Sequence, residues 1–156
     1  MADLACPLCD GPGGTLLAAS AQLRVIHSPE KGFPAFYRVV WARHVAEFSE
    51  LTPAERQACM DAVACVERAL LDHLPQSLRP TKINLAALGN MVPHLHWHVI
   101  ARHDWDSHFP APLWGKPVRP AHADRLAELE AALPAMEAQM LRSLEALGLA
   151  RSGRDA

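Results

Sequence analysis

The sequence predicts an α+β fold: a mainly antiparallel sheet with a packed helix and a helical C-terminal extension. Three observations carry that prediction. Leu23-Arg24-Val25-Ile26-His27 and Phe36-Tyr37-Arg38-Val39-Val40-Trp41 are β-branched and aromatic runs on either side of Ser28-Pro29-Glu30-Lys31-Gly32, the pattern of an antiparallel hairpin. Thr52-Pro53-Ala54-Glu55 is a capping box with proline at the first helical position, which opens a helix. In His94-Leu95-His96-Trp97-His98-Val99-Ile100 the histidines recur at every second residue, so a strand sets them on one face and the apolar residues on the other.

Composition bounds the rest. A chain of 156 residues, half of them hydrophobic, is one domain or one domain with an appendage. A formal charge of -2 with no long basic run argues against a nucleic-acid partner. No apolar stretch reaches the length of a membrane span. Met1-Ala2-Asp3-Leu4 leads into Cys6 without the charged and apolar regions of a signal peptide, so a cytoplasmic location is expected. The four cysteines are then expected to be thiols or metal ligands rather than disulfides.

In chain order, Cys6-Pro7-Leu8-Cys9 offers two sulfur ligands to a metal and needs others from elsewhere. Residues Thr15 to Arg24 fit a short strand or a helix equally. In the helix after Thr52, Ala58, Cys59, Ala62, Val63, Val66, Ala69, Leu70 and Leu74 form a packing stripe. Cys59 and Cys65 read as small buried hydrophobes, and His73 as a partner of the helix dipole. Thr81 to Ala87 reads as a strand and Leu88-Gly89-Asn90 as a turn. Asn84 stands out because an amide both donates to and accepts from a phosphate or sugar.

Beyond Ile100, a polar loop holds Asp104 and Asp106. Arg102 is either a phosphate partner or a surface group. Trp105, Phe109 and Trp114 either stack on a base or cover the sheet edge. His122 to Leu133 and Ala135 to Leu147 read as helical, with Pro134 expected to kink the run or start a second helix. Its stripe of Leu126, Leu129, Leu133, Met136, Met140, Leu144 and Leu147 suits core or a dimer contact. Gly148 reads as a C-cap, and Arg151-Ser152-Gly153-Arg154 as a frayed end.

Three imidazoles with unperturbed pKa near ~6.5 divide the roles of nucleophile, proton donor and cation in neutral water. That suits attack on phosphorus through a covalent phospho- or nucleotidyl-histidine. In a dry core the same trio would need three sets of polar partners, which is costly. The rival is a metal bound by His-x-His. A carboxylate would usually assist it, and no Glu lies between Glu67 and Glu128.

The seven residues His94 to Ile100 satisfy His-φ-His-φ-His-φ-φ, φ being apolar, and in this the chain resembles the histidine triad (HIT) family of nucleotide hydrolases and transferases. The resemblance runs from about Cys6 to about Trp114. It implies a HIT-like fold over residues 1–119, a helical extension over 120–156, and a homodimer. It implies hydrolysis at the α-phosphate of dinucleoside polyphosphates such as diadenosine tetraphosphate, or of nucleoside phosphoramidates. The N-terminal Cys-x-x-Cys resembles that of the bacterial diadenosine tetraphosphate hydrolase branch. His96 corresponds to the nucleophile, His98 to the residue holding phosphoryl oxygens or the bridging atom, and His94 to an orienting residue. Asn84, Gly89 and Asn90 correspond to nucleotide- or phosphate-binding positions, and His27 or Ser28 falls near the ribose contact. A structural zinc held by Cys6, Cys9, His44 and His94 is implied, with the substrate arriving as a magnesium complex. The histidine at position 98 resembles the hydrolases; transferases and phosphorylases carry glutamine there. Asn90 and Met91 depart from the family's Gln followed by Ser or Thr, which favours a second reading, a nucleotide-binding or interaction module with little turnover. A third is a metalloenzyme with the three histidines as ligands.

Overall fold

The computed structural model describes residues 5–152, so Met1 to Leu4 and Gly153 to Ala156 lie outside the described residues. The elements are α1 (Pro7–Asp10), β1 (Thr15–Ala19), β2 (Leu23–His27), β3 (Phe36–Trp41), α2 (Pro53–His73), β4 (Lys82–Ala86), β5 (His96–Arg102), α3 (Ala123–Ala146) and β6 (Arg151–Ser152). The strands form one sheet in the order β4-β5-β3-β2-β1-β6, and every pair is antiparallel. The segment that fitted strand or helix is two strands, β1 and β2, because Ser20 Oγ accepts from the amides of Gln22 and Leu23 and turns the chain there.

Register sorts the side chains. One rung runs Val25, Val39, Trp97 and the next runs Ile26, Arg38, His98, Ala86. Since neighbours along a strand point to opposite faces, the first rung belongs to the face under the helices and the second to the face that bears the histidines. The helix-side face is the main core. Val25, Tyr37, Val39, Val99 and Ile83 join Val63, Val66 and Leu70 of α2 and Met136 and Met140 of α3 in one buried cluster.

α2 begins as its sequence specifies. Thr52 Oγ1 accepts from the Glu55 amide at 3.3 Å, and the Glu55 carboxylate accepts from the Thr52 amide at 2.7 Å. α3 differs from expectation, because it runs unbroken through Pro134. Pro134 and Glu130, whose carbonyl loses its intrahelical donor there, are both exposed, so the break in the hydrogen-bond ladder lies on the solvent side of the helix. Burial of Leu129, Leu133, Met136, Met140 and Leu144 holds both halves on one line. The stripe from Leu129 to Leu144 is therefore spent on the chain's own core, while Leu126 at one end is only half-buried and Leu147 at the other is exposed. Tyr37 Oη donates to Glu137 Oε1 at 2.8 Å, tying β3 to α3.

The end of α3 is also more ordered than expected. Gly148, at φ +66°, lets its own amide reach Glu145 O and the Leu149 amide reach Leu144 O, a Schellman motif. The chain then turns back, and Arg151 and Ser152 pair with Ala19 and Ala18 instead of fraying. No helix of the described residues is long and apolar enough to cross a membrane.

Candidate active site

Cys6 to Asp10 form a compact knuckle in which the Cys9 and Asp10 amides both donate to Cys6 O, at 2.8 and 2.9 Å. That turn brings the two thiols to one side. Arg24 of β2 clamps the knuckle by donating to the carbonyls of Leu8, Gly11 and Pro12, while Leu8 plugs into Ile26 and Val40 of the sheet. Arg24 was not singled out by the sequence, where it looks like any charge alternating with apolar neighbours.

The knuckle meets two histidines. His94 Nδ1 lies 3.5 Å from Cys6 Sγ and 3.4 Å from Cys9 Sγ, and His44 Nδ1 lies 3.3 Å from Cys9 Sγ. All four ligand atoms fall within 4.8 Å of one another, so this Cys2His2 cluster is positioned to bind a metal ion. A tetrahedron with ordinary zinc–sulfur and zinc–nitrogen bonds has a sulfur-to-nitrogen edge of about 3.6 Å, close to what the side chains present. The ring of His94 has the right tautomer, because its Nε2–H donates to Trp41 O at 2.6 Å and leaves the Nδ1 lone pair for the cysteine side. The Cys9 thiol is pushed up by desolvation and by Cys6 alongside, a proximity that a shared cation converts into paired thiolates.

β5 starts at His96, so His94 sits just before the strand, with its amide bonded to Val92 O. The three histidines do not converge on one point. Among the described residues, the metal-capable group contains His94 but neither His96 nor His98. His96 Nδ1–H donates to the backbone carbonyl of His94 at 2.6 Å, which fixes the tautomer and leaves the lone pair on Nε2. Burial lowers the His96 pKa against that bond, with Arg38 adding to the effect. His96 is therefore a neutral base with a directed lone pair.

His98 is packed among rings, with Phe36 at 5.3 Å, Trp114 at 5.5 Å and His96 at 4.9 Å between centroids. Its Nδ1 is buried and without a hydrogen-bond partner. Burial, then His96 and Arg38, push its pKa down to about 4. The unfolded chain takes up this proton near ~6.5 and the native chain only near 4, so acid between those values favours unfolding. Stability is expected to be full above about pH 6.5 and about 2 kcal/mol lower at pH 5 than at pH 7. Urea midpoints at the two pH values measure this, and equal midpoints would contradict it.

His96 and His98 open on a cleft of about 420 Å³ whose walls include Leu8, Arg38, Gly89, Asn90 and Trp114. Gly89 holds φ +67°, a conformation that glycine alone adopts without strain, and so presents the 88–92 turn to the cleft. Met91 is 93% exposed at the rim. Of the three aromatic candidates, Trp114 lines the cleft, whereas Trp105 stacks on His103 and Phe109 packs near the Arg102 guanidinium. His27 is on the helix side of the sheet, where its Nε2–H donates to Pro34 O at 2.6 Å and Nδ1 lies 3.5 Å from Glu137.

Asn84 shares the histidine face, one residue pair along from Ala86 and His98, but is not among the residues lining the cleft. Its Oδ1 accepts from Arg102 Nη1 at 2.8 Å, leaving the amide NH2 as the free end. Arg102 is neither the surface group nor the phosphate partner that its place at a strand end suggested. It is 2% exposed, paired with Asp106 at 2.8 and 3.1 Å, and bonded to Ala111 O. Burial pushes the Asp106 carboxyl upward, but the Arg102 guanidinium and the backbone amides of His108 and His103 outweigh it and hold the pKa below the usual range. The sequence reading also missed Arg38, a cation facing the cleft from β3.

The HIT domain profile matches residues 17–105, more than half of the chain. Among solved structures, a histidine triad protein from Bradyrhizobium japonicum is 28% identical, with a TM-score of 0.60 over 79% of this chain and 90% of that one. One from Marinobacter aquaeolei is 28% identical, with a TM-score of 0.61 over 83% and 92%. One from Sinorhizobium meliloti is 27% identical, with a TM-score of 0.59 over 79% and 89%. No match is found among curated proteins. With the profile running from within β1 to the residues just past β5, and with the triad strand paired on both sides between β4 and β3, the chain belongs to the HIT domain family.

Proposed function

We propose that the protein is a nucleotide hydrolase acting at the α-phosphate of dinucleoside polyphosphates or nucleoside phosphoramidates. The observation that carries this reading is the His96 ring: Nδ1 bonded to the His94 carbonyl, the lone pair on Nε2, and the ring set in the wall of the cleft. Membership of a family that binds nucleotides supports the ligand class. His96 Nε2 attacks the α-phosphorus, the bond from phosphorus to the leaving oxygen or nitrogen breaks, and water then displaces Nε2 to release the nucleotide. His98 holds the phosphoryl oxygens or the bridging atom. Gly89 and Asn90 in the adjoining turn contact the phosphate. Asn84 positions the nucleotide through its amide NH2.

Mass spectrometry of intact protein, quenched in acid shortly after mixing with diadenosine tetraphosphate or adenosine phosphoramidate, tests the reading. A transient adenylyl adduct is expected on the native chain and not on His96→Ala. Absence of both adduct and product would favour the second reading, a binding module with little turnover, to which exposed Met91 points because a thioether offers no hydroxyl to phosphate.

The metal of the Cys2His2 cluster is proposed to be zinc, which supplies a structural tie between the N-terminal knuckle and the triad strand. About one zinc per chain is expected in purified protein, lost in Cys6→Ser/Cys9→Ser and kept in His96→Ala/His98→Ala. Elemental analysis showing the reverse pattern would place the ion on the triad and support the metalloenzyme reading. The active species is proposed to be a cytoplasmic homodimer that takes its dinucleotide as a magnesium complex.

A further inference from the structure

The cleft is lined mostly by apolar side chains and neutral imidazoles, and among its lining residues only Arg38 bears a permanent charge. Arg38 faces His98 directly across the β3–β5 ladder and Ile26 across the β2–β3 ladder. Its side chain is 22% exposed, and its Nε is buried with no hydrogen-bond partner among the described residues. Nη2 lies 4.0 Å from Glu30 Oε1, beyond hydrogen-bond reach, and Glu30 is 44% exposed, so water screens that pair. Phe36 supplies an aromatic ring 5.5 Å from the guanidinium carbon. A largely desolvated cation without a close counter-ion is unfavourable in the free protein, and an anion entering the cleft relieves it.

The register says which anion. Arg38 is level with His98, whereas His96 is level with Val40, one strand repeat away. Arg38 is thus rooted beside the histidine assigned to the phosphoryl oxygens or the bridging atom, displaced along the sheet from the nucleophile. Its planar fork matches two phosphoryl oxygens at once, which no lysine or imidazole does.

We propose that Arg38 is a specificity-determining residue that receives a second phosphoryl group of the ligand, one not attacked by His96, and thereby selects nucleotides bearing two or more phosphates over monophosphates and phosphoramidates. The inference rests on the nucleotide reading for the kind of ligand, but not on turnover.

Calorimetric titration of the metal-loaded full chain with AMP, ADP and adenosine phosphoramidate, without magnesium, tests it in native, Arg38→Leu and Arg38→Lys proteins. The native chain is expected to bind ADP at least ~10-fold more tightly than AMP or the phosphoramidate. In Arg38→Leu the ratio should fall to about one with AMP affinity changed less than about threefold, and Arg38→Lys should lie between. Should Arg38→Leu fail to fold, as seen by its thermal midpoint, the Lys variant and Arg38→Gln carry the same comparison. An unchanged ratio, or equal losses for AMP and ADP, overturns the assignment. No binding of any nucleotide by native protein overturns it together with the nucleotide reading. An Arg38-dependent ratio in a protein that forms no His96 adduct upholds Arg38 and removes only the hydrolase reading.

Discussion

His96→Ala is expected to lower nucleotide turnover by about 10³-fold or more while leaving nucleotide affinity within about threefold. Such a loss corresponds to about 4 kcal/mol of transition-state stabilisation. The split follows from where the ring stands. Its Nδ1 is used up by the His94 carbonyl, so its Nε2 is the atom left for bond formation. Besides His96, the cleft is walled by Leu8, Arg38, the 88–92 turn, His98 and Trp114, which remain to hold the nucleotide when the His96 ring is removed. Parallel loss of affinity and turnover in steady-state and equilibrium measurements would show that His96 serves in holding the nucleotide instead. His96→Asn, which keeps a donor near the His94 carbonyl but has no nucleophilic nitrogen, should be as inactive as His96→Ala.

The largest stability effect is expected at Arg102. Its guanidinium is enclosed and makes bonds to Asp106, Asn84 and Ala111. Arg102→Met should destabilise the fold by about 3–5 kcal/mol, because it leaves the Asp106 carboxylate buried without its cation. For a chain of this length the loss amounts to a fall in Tm of roughly 10 °C. Removing the acid as well, in Arg102→Met/Asp106→Leu, should recover little. Asp106 also accepts from the amides of His103, His108 and Phe109, which would then be stranded. Thermal and denaturant unfolding of the two variants decide the matter, and full recovery in the double variant would refute this account of Asp106.

These residues also mark where sequence reasoning succeeds and stops. The hairpin strands and the capped helix were legible because each is declared locally, by β-branched runs and by a four-residue cap. The Cys2His2 cluster was foreseen from a family pattern spread over distant positions, and its atoms do come together. Arg102 was misjudged because its partner lies in an irregular loop whose path no periodicity encodes. Arg38 was overlooked since a charge between Tyr37 and Val39 looks the same whether it meets water or a cleft. Pro134 shows the limit of local propensity. A proline costs about 3 kcal/mol in a helix interior, yet the buried stripe on both sides of it outweighs that cost.

The pairing of β6 with β1 has a bearing on how the molecule comes together. Residues 18 and 19, among the earliest of the sheet, meet partners at 151 and 152, and the helix that delivers them also seals the core face. Contacts of such separation require closing a very long loop, and topologies rich in them assemble slowly. The hairpin of β2 and β3 forms from neighbours alone, but the strand bearing the histidines, besides its near neighbour β4, needs β3 from well upstream. The face that bears His96 and His98 should therefore be completed late in folding, after the local pieces have formed.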